Sequence, residues 1–204
     1  KEVAYVLATR GEAGIDGMPP MQAAPLREAE QRHSAELVGV ATVEFLNHSD
    51  GVIEYGLGLR RDLAAAIRRH RPELVLIGNF ADTWPGGHWN SADHRAVGRA
   101  AMDAVADAGN RWIFPELVEE LGLRPWSGVR YVAVAGSPQP THAVDVTETL
   151  PTAVASLQAH AAYLDGLGAE HPMADAQAFL EWSYSLGAPH FGDRLAATFA
   201  LHRM

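Results

Sequence analysis

The chain has no cysteine among its 204 residues. That excludes disulfides, thiolate metal sites and cysteine nucleophiles, and it fits a reducing compartment such as the cytoplasm. No apolar run approaches the length of a membrane span, and no signal-peptide pattern is present. A long basic run is also missing. With a net charge of −9, the chain lacks the Lys/Arg footprint that phosphate binding needs, so nucleic acid is not an expected partner. No G-x-G-x-x-G follows a strand pattern, which counts against an ordinary dinucleotide-binding domain. Internal repeats, low-complexity segments and linkers are absent too.

What is there has the balance of a globular protein, 48% hydrophobic and 20% charged. The length suits a single domain over residues 1–204. The opening KEVAYVLATRGEAG carries no initiator Met. Val3–Ala8 within it is a short apolar run ended by Gly11, the pattern of a buried strand. A domain seldom starts on such a strand, so a preceding segment is expected.

Strand and helix patterns then alternate. Pro25 is placed to begin a helix running to about Val38, and Val40–Leu46 reads as a strand. Leu59, Leu63 and Ile67 mark a helix whose other face carries Arg60, Arg61, Arg68 and Arg69, expected to be solvated. Pro72 ends it, and Leu74–Ile77 is expected as a second buried strand. A helix follows from about Ala92 to Ala108, then a strand over Val129–Ala135 and a helix over Leu150–Leu164. Phe179–Leu186 suggests a last helix. The tail from His190 is unassigned, and residues 166–204 carry no readable motif. Repeated β-α alternation implies an α/β fold with a largely parallel sheet.

Open α/β sheets bind ligands beyond the carboxyl ends of their strands. That rule selects Thr9–Gln22, Asn47–Gly56 and Gly78–Ser91, which bring Glu12, Asp50, and Asp82 with His88 and Asn90. The most informative stretch is Trp84–Val105, a Gly-rich aromatic loop leading into an amphipathic helix. Val97, Ala101, Val105 and Ala108 form its buried stripe, and His94 lies on that side at the N-terminal end. The helix dipole there disfavours a protonated ring, and neutral imidazole is the metal-binding form. Asn90, Ser91 and Asp93 can each cap the helix, and Asp93 places a carboxylate beside the ring. Locally, this is half of a metal site.

The ordered set RGEAG (Arg10–Gly14), PLREAE (Pro25–Glu30), FLNHSDG (Phe45–Gly51), RPELVLIGN (Arg71–Asn79) and ADHRAVGRAAMDAV (Ala92–Val105) resembles the PIG-L/LmbE-like superfamily. Val144–Tyr163 is similar to that family's later VD-to-His helix. The resemblance implies a Rossmann-like three-layer sandwich with a mostly parallel sheet, here without its first strand and helix. It implies a zinc-dependent N-deacetylase acting on linear amides of N-acetylglucosamine-type sugars. Zinc, or another divalent metal, would be held by two His and one Asp. Two ligands and the general base would come from an HPDD motif before Lys1.

His94 matches the third ligand, and Arg27 and Asp50 match positions that contact the sugar. Asp93 is the carboxylate of catalytic interest in this chain, and Asn90 and Ser91 are candidate substrate contacts. Ser91 stands where the family has the first His of HxxH, which is thought to stabilise the oxyanion. Asn90, His88 or the metal alone are the candidate replacements. The implied partner is a small amino-sugar substrate, with no membrane span and with homo-oligomerisation left open. Plainer readings compete at several positions. Arg27 can pair with Glu30 or Glu28, Asp50 and Glu12 suit turns, and Trp84 and Trp89 serve either as sugar-stacking rings or as a packing lid. His142 and His160 look structural. The competing class is a degenerate relative that binds a sugar-like ligand without hydrolysing it.

Overall fold

The computed structural model describes residues 1–192 and 194–204, with backbone alone at 190. The elements run β1 (Ala4–Leu7), α1 (Pro20–Leu37), β2 (Thr42–Phe45), α2 (Leu57–His70), β3 (Leu74–Gly78), α3 (Ala92–Gly109) and α4 (Glu116–Glu119). Then follow β4 (Tyr131–Ala135), β5 (His142–Asp145), α5 (Leu150–Gln158), α6 (Ala161–Leu167), α7 (Ala176–Ser185) and β6 (Ala196–Arg203). Among the described residues no helix is long and apolar enough to cross a membrane.

The fold is α/β, but its strands are mixed rather than mostly parallel. β1 pairs with β2 in parallel as one sheet, while the other has the order β3-β4-β6-β5. β3 and β4 are parallel, and β6 runs antiparallel to β4 with Tyr131 opposite Arg203. The unassigned tail supplies that antiparallel strand; residue 193 within it lies outside the described residues. The chain divides into two compact units, Lys1–Gly51 with Ala143–Ala197 and Val52–His142 with Thr198–Met204.

In the first unit, α1 begins at Pro20, five residues earlier than expected, and contains Pro25. Pro20 suits the first helical position, where no N–H is needed. Pro25 merely omits one hydrogen bond in the second turn. The single helix expected over Leu150–Leu164 is instead α5 and α6, broken at Ala159 and His160. The break has a partner on α1. Buried Glu30 extends Oε1 to accept from the Ala162 N–H at 2.6 Å, capping α6 in place of a continuing helix. Its Oε2 pairs with Arg27, whose Nη1 also donates to His160 Nδ1 at 3.1 Å.

His160 therefore accepts from a cation, and burial, with Arg27 beside it, lowers its pKa below 6.5 despite the opposing pull of Glu30. In the unfolded chain the ring protonates near 6.5, whereas the folded state resists that proton. Stability is thus complete above about pH 6.5 and falls as pH drops toward the lowered folded value. Urea midpoints at pH 7.5 and 5.5 should fall further for wild type than for His160→Gln; equal falls would show that His160 does not carry the effect.

The second unit packs α2 against α3 through alanines. Ala64, Ala104 and Ala108 are fully buried beside Ile67, Val105, Leu117, Val129 and Val132, so the helices approach closely. The expectation of a solvated arginine face on α2 fails at Arg68 and in part at Arg60, while Arg61 keeps its side chain partly in solvent. Arg60 makes a two-pronged pair with buried Asp107 at 2.9 and 2.8 Å, and Arg61 bonds Glu116 at 2.9 Å. Arg68 is only 3% exposed and turns inward, where it reaches the carbonyls at the end of α3. Arg69 alone of the four is exposed. β3 also departs from expectation. Leu74 and Leu76 are exposed while Val75 and Ile77 pack on the core, because alternate residues of a strand face opposite sides.

Candidate functional site

The loop between β3 and α3 is built on two buried asparagines. Asn79 Nδ2 donates to the Thr83 carbonyl at 2.8 Å, and its Oδ1 accepts from the Ala81 N–H at 3.0 Å. Asn90 has no exposed surface, and its Nδ2 donates to the carbonyls of Asn79 and Ala81 at 2.8 and 3.0 Å. An amide nitrogen facing two carbonyls settles which way the side chain points. Asn90 Oδ1 therefore faces the Ser91 N–H at 2.9 Å and the ring of His94 at 3.0 Å.

That contact assigns the tautomer. Because Oδ1 only accepts, Nδ1 of His94 carries a proton, so the neutral ring has its lone pair on Nε2. A ring nitrogen held in this way is how proteins orient imidazole ligands. The Trp84 ring stands edge-on to His94, with centroids 5.8 Å apart at 88°. Ser91 is the helix cap, its Oγ accepting from the His94 N–H at 3.1 Å. A hydroxyl that accepts still has its own proton to donate. Gly98 lets this assembly seat on α3: a side-chain carbon there would lie 2.4 Å from Phe80 Cβ.

The structure thus brings Asn90, Ser91 and His94 together. Asn90 has no exposed surface, and both ends of its amide are bonded to protein, with Oδ1 against the His94 ring. Asp93 points to the preceding loop, where Oδ1 accepts from the Ile53 N–H at 3.0 Å. Among the described residues no group of three or more His, Cys, Asp or Glu could hold a metal ion. His94 offers one nitrogen, so the described residues do not by themselves make up a ligand set for a metal.

In the first unit, the loops after β1 and β2 are tied together by two carboxylates. Asp50 Oδ1 accepts from the Thr9 hydroxyl at 3.1 Å and Oδ2 from the Ala13 N–H at 3.0 Å. Glu12 returns the contact, accepting from the N–H groups of Asp50 and Arg10. Arg27 lies over the Tyr163 ring at 4.3 Å, bonded to Glu30 and His160, with Gly11 against its Nε. That Nε is a buried donor with no hydrogen-bond partner. Arg10, without a role in the sequence reading, joins Glu28 at 3.2 Å to Asn47 at 3.3 Å.

Sequence reasoning missed Asn79, Phe80 and Tyr163. The signal for Asn79 was present, an amide immediately after a strand whose mate follows eleven residues on. Tyr163 carried none, since it meets Arg27 from an element far away in the chain, whereas the Arg27–Glu30 pair expected from the sequence is present.

Comparison with known proteins places this geometry. The chain is 30% identical over 167 residues to the diacetylchitobiose deacetylase of Thermococcus kodakarensis, covering 78% of itself and 58% of that protein. It therefore spans less than two thirds of that relative's length. The N,N'-diacetylchitobiose deacetylase of Pyrococcus horikoshii superposes with a TM-score of 0.83 at 23% identity, over 99% of this chain and 73% of that one. The 4-carboxy-2-hydroxymuconate hydratase of Pseudomonas putida superposes with a TM-score of 0.73 at 18% identity, over 98% and 83%. One fold thus carries two reactions, and the structural likeness establishes the fold alone. The sequence itself matches the GlcNAc-PI de-N-acetylase family over residues 1–105, a stretch that holds His94 and its supports, and the chain belongs to this PIG-L family.

Proposed function

We propose that the protein is a hydrolase that removes the N-acetyl group from an N-acetylglucosamine-type sugar or conjugate. The observation that carries this reading is the Asn90–His94 contact, which lies inside the family-matched residues and, in the neutral ring, assigns the lone pair to Nε2. The name of the Thermococcus relative supports an acetylated amino sugar as substrate. The finer architecture we infer is Rossmann-like and three-layered.

The reading includes a divalent metal, zinc by family resemblance, with His94 as one ligand. The remaining ligands and the general base would be those of the HPDD motif that the family resemblance implies. Within this chain the parts are positional. Asn90 holds the imidazole, Ser91 supplies a hydroxyl donor beside it, and Asp93 anchors the first turn of α3 to the loop at Ile53. Arg27 and Asp50 are our candidates for holding sugar hydroxyls, by a donor fork and by acceptor oxygens.

The complete gene product, incubated with N-acetylglucosamine and with N,N'-diacetylchitobiose, should release acetate and free amine in equal amounts. Sugar binding without acetate release would favour the non-hydrolysing relative. Neither binding nor release would overturn the proposal.

A further inference from the structure

The break between α5 and α6 is held from α1. Glu30 caps the Ala162 N–H and pairs with Arg27, and Arg27 Nη1 meets His160 Nδ1 at 3.1 Å. A guanidinium only donates, so Nδ1 must accept, and the neutral ring carries its proton on Nε2. A second proton can enter only at Nδ1, the atom that Arg27 occupies. Protonation of the ring and its contact with Arg27 therefore exclude one another.

The loop after β1 rests on the same arginine. The guanidinium lies 4.3 Å from the centroid of the Tyr163 ring, and a side-chain carbon at Gly11 would lie 3.4 Å from its Nε. Tyr163 in turn packs on that loop, where a side-chain carbon at Gly14 would lie 3.3 Å from the ring. The loop stands beyond the carboxyl end of β1, the end at which α/β sheets bind ligands. It also holds Asp50, through the Ala13 N–H and the Glu12 carboxylate. The arrangement is poised rather than locked, because the buried Arg27 Nε has no hydrogen-bond partner. A buried donor left unpaired carries a cost that turning toward water removes.

We propose that His160 is a pH-sensitive latch: when its ring takes up a proton, Arg27 lets go, and the α5–α6 junction and the loop Arg10–Gly14 loosen together. The inference goes beyond the deacetylase reading and does not depend on it. The balance of charge favours the release. With a neutral ring, Arg27 and Glu30 offset one another; a protonated ring leaves one net positive charge in a half-buried cluster. Glu30 pulls toward protonation, yet both of its oxygens are already engaged, by Arg27 and by Ala162. On the neighbouring elements, α5 has no ionisable residue, Tyr163 of α6 faces Arg27, and Asp165 of α6 is exposed. In the loop, Glu12 is engaged by Arg10 and Asp50. Burial and Arg27 together keep the ring neutral while the latch is closed. The release is a local opening, distinct from global unfolding.

The test is amide hydrogen exchange of the complete gene product at pH 7.5 and 5.5, read by mass spectrometry and divided by the intrinsic rate at each pH. Where only the open state accepts the proton, with a ring pKa of about 6.5, opening becomes about tenfold more frequent at the lower pH. Protection of the peptides covering Arg10–Gly14 and Ala161–Leu167 should fall by that factor, while α3, in the other unit, keeps its protection. In His160→Asn the side-chain oxygen stands where Nδ1 does and takes no proton, so protection should not change with pH. Should that variant fail to fold, the wild-type ring decides: its NMR titration should follow the loss of protection down the pH scale. Equal wild-type protection at both pH values, a fall shared by His160→Asn or by α3, or a ring that titrates while both segments stay protected would overturn the latch.

Discussion

His94→Ala should lower kcat/KM for deacetylation by the complete gene product by well over a hundredfold, since a hundredfold is about the upper end for residues that only orient a ligand. The ring is exposed, so removing it opens no cavity and the melting temperature should hardly move. Bound zinc should fall in parallel. Unchanged zinc content would refute the assignment of His94 as a ligand. Asn90→Leu separates ligand from support. It removes the acceptor that keeps the proton on Nδ1, so activity should fall about 10- to 100-fold with His94 still present. It also strips the Asn79 and Ala81 carbonyls of their buried donor, which should lower stability by about 1–3 kcal/mol. Loss of activity together with retained folding in His94→Ala, against partial loss of both in Asn90→Leu, is the pattern this geometry requires.

The largest stability effect is expected at Arg68. Its Nε donates to the Ala108 carbonyl at 3.1 Å, while Nη2 is shared among Asp107, Asn110 and Ile113 at 3.2, 2.7 and 3.0 Å. One guanidinium thus closes the carbonyl end of α3 and the turn after it. Burial pulls its pKa below the usual guanidinium value, with Glu116 and Asp107 opposing, and a guanidinium stays charged throughout the working range. Arg68→Met keeps the stem and removes every donor, stranding carbonyls that water reaches poorly. The loss should be about 4 kcal/mol in urea unfolding, a large share of a typical domain's stability. Arg68→Lys, with three donors on a single atom, should fall between. Arg69→Met, at the exposed neighbour, should stay within about 0.5 kcal/mol. A loss below about 1 kcal/mol for Arg68→Met would mean that the turn finds other donors.

The two arginines illustrate what periodicity conveys and what it hides. Hydrophobic spacing located α2 and α3 well, because an apolar stripe is a local property of the chain. The same spacing put Arg68 on a polar face, when it sits at the helix end where the carbonyls of α3 arrive. Nothing local signals that arrival. Likewise the break between α5 and α6 answers to Glu30, more than a hundred residues earlier, and the long helix expected there had no local reason to stop. The tail strand β6 was hidden because its antiparallel place beside β4 comes from pairing at long range.

By itself the sequence determined the α/β class, the helix that begins at Ala92, and the family, because these rest on spacing and on ordered motifs within short windows. It also marked Trp84–Val105 as the stretch that carries our candidate site. Only the tertiary structure decided the roles inside it. Burial engaged both ends of the Asn90 amide and set its Oδ1 against His94, a meeting that the chain's local pattern does not show. Trp84 and Trp89 divided into a brace and an exposed ring because one met Gly136 and the other Arg95. A side chain's role depends on which groups meet it across the fold, and that meeting is set by packing between distant segments rather than by neighbours in the chain.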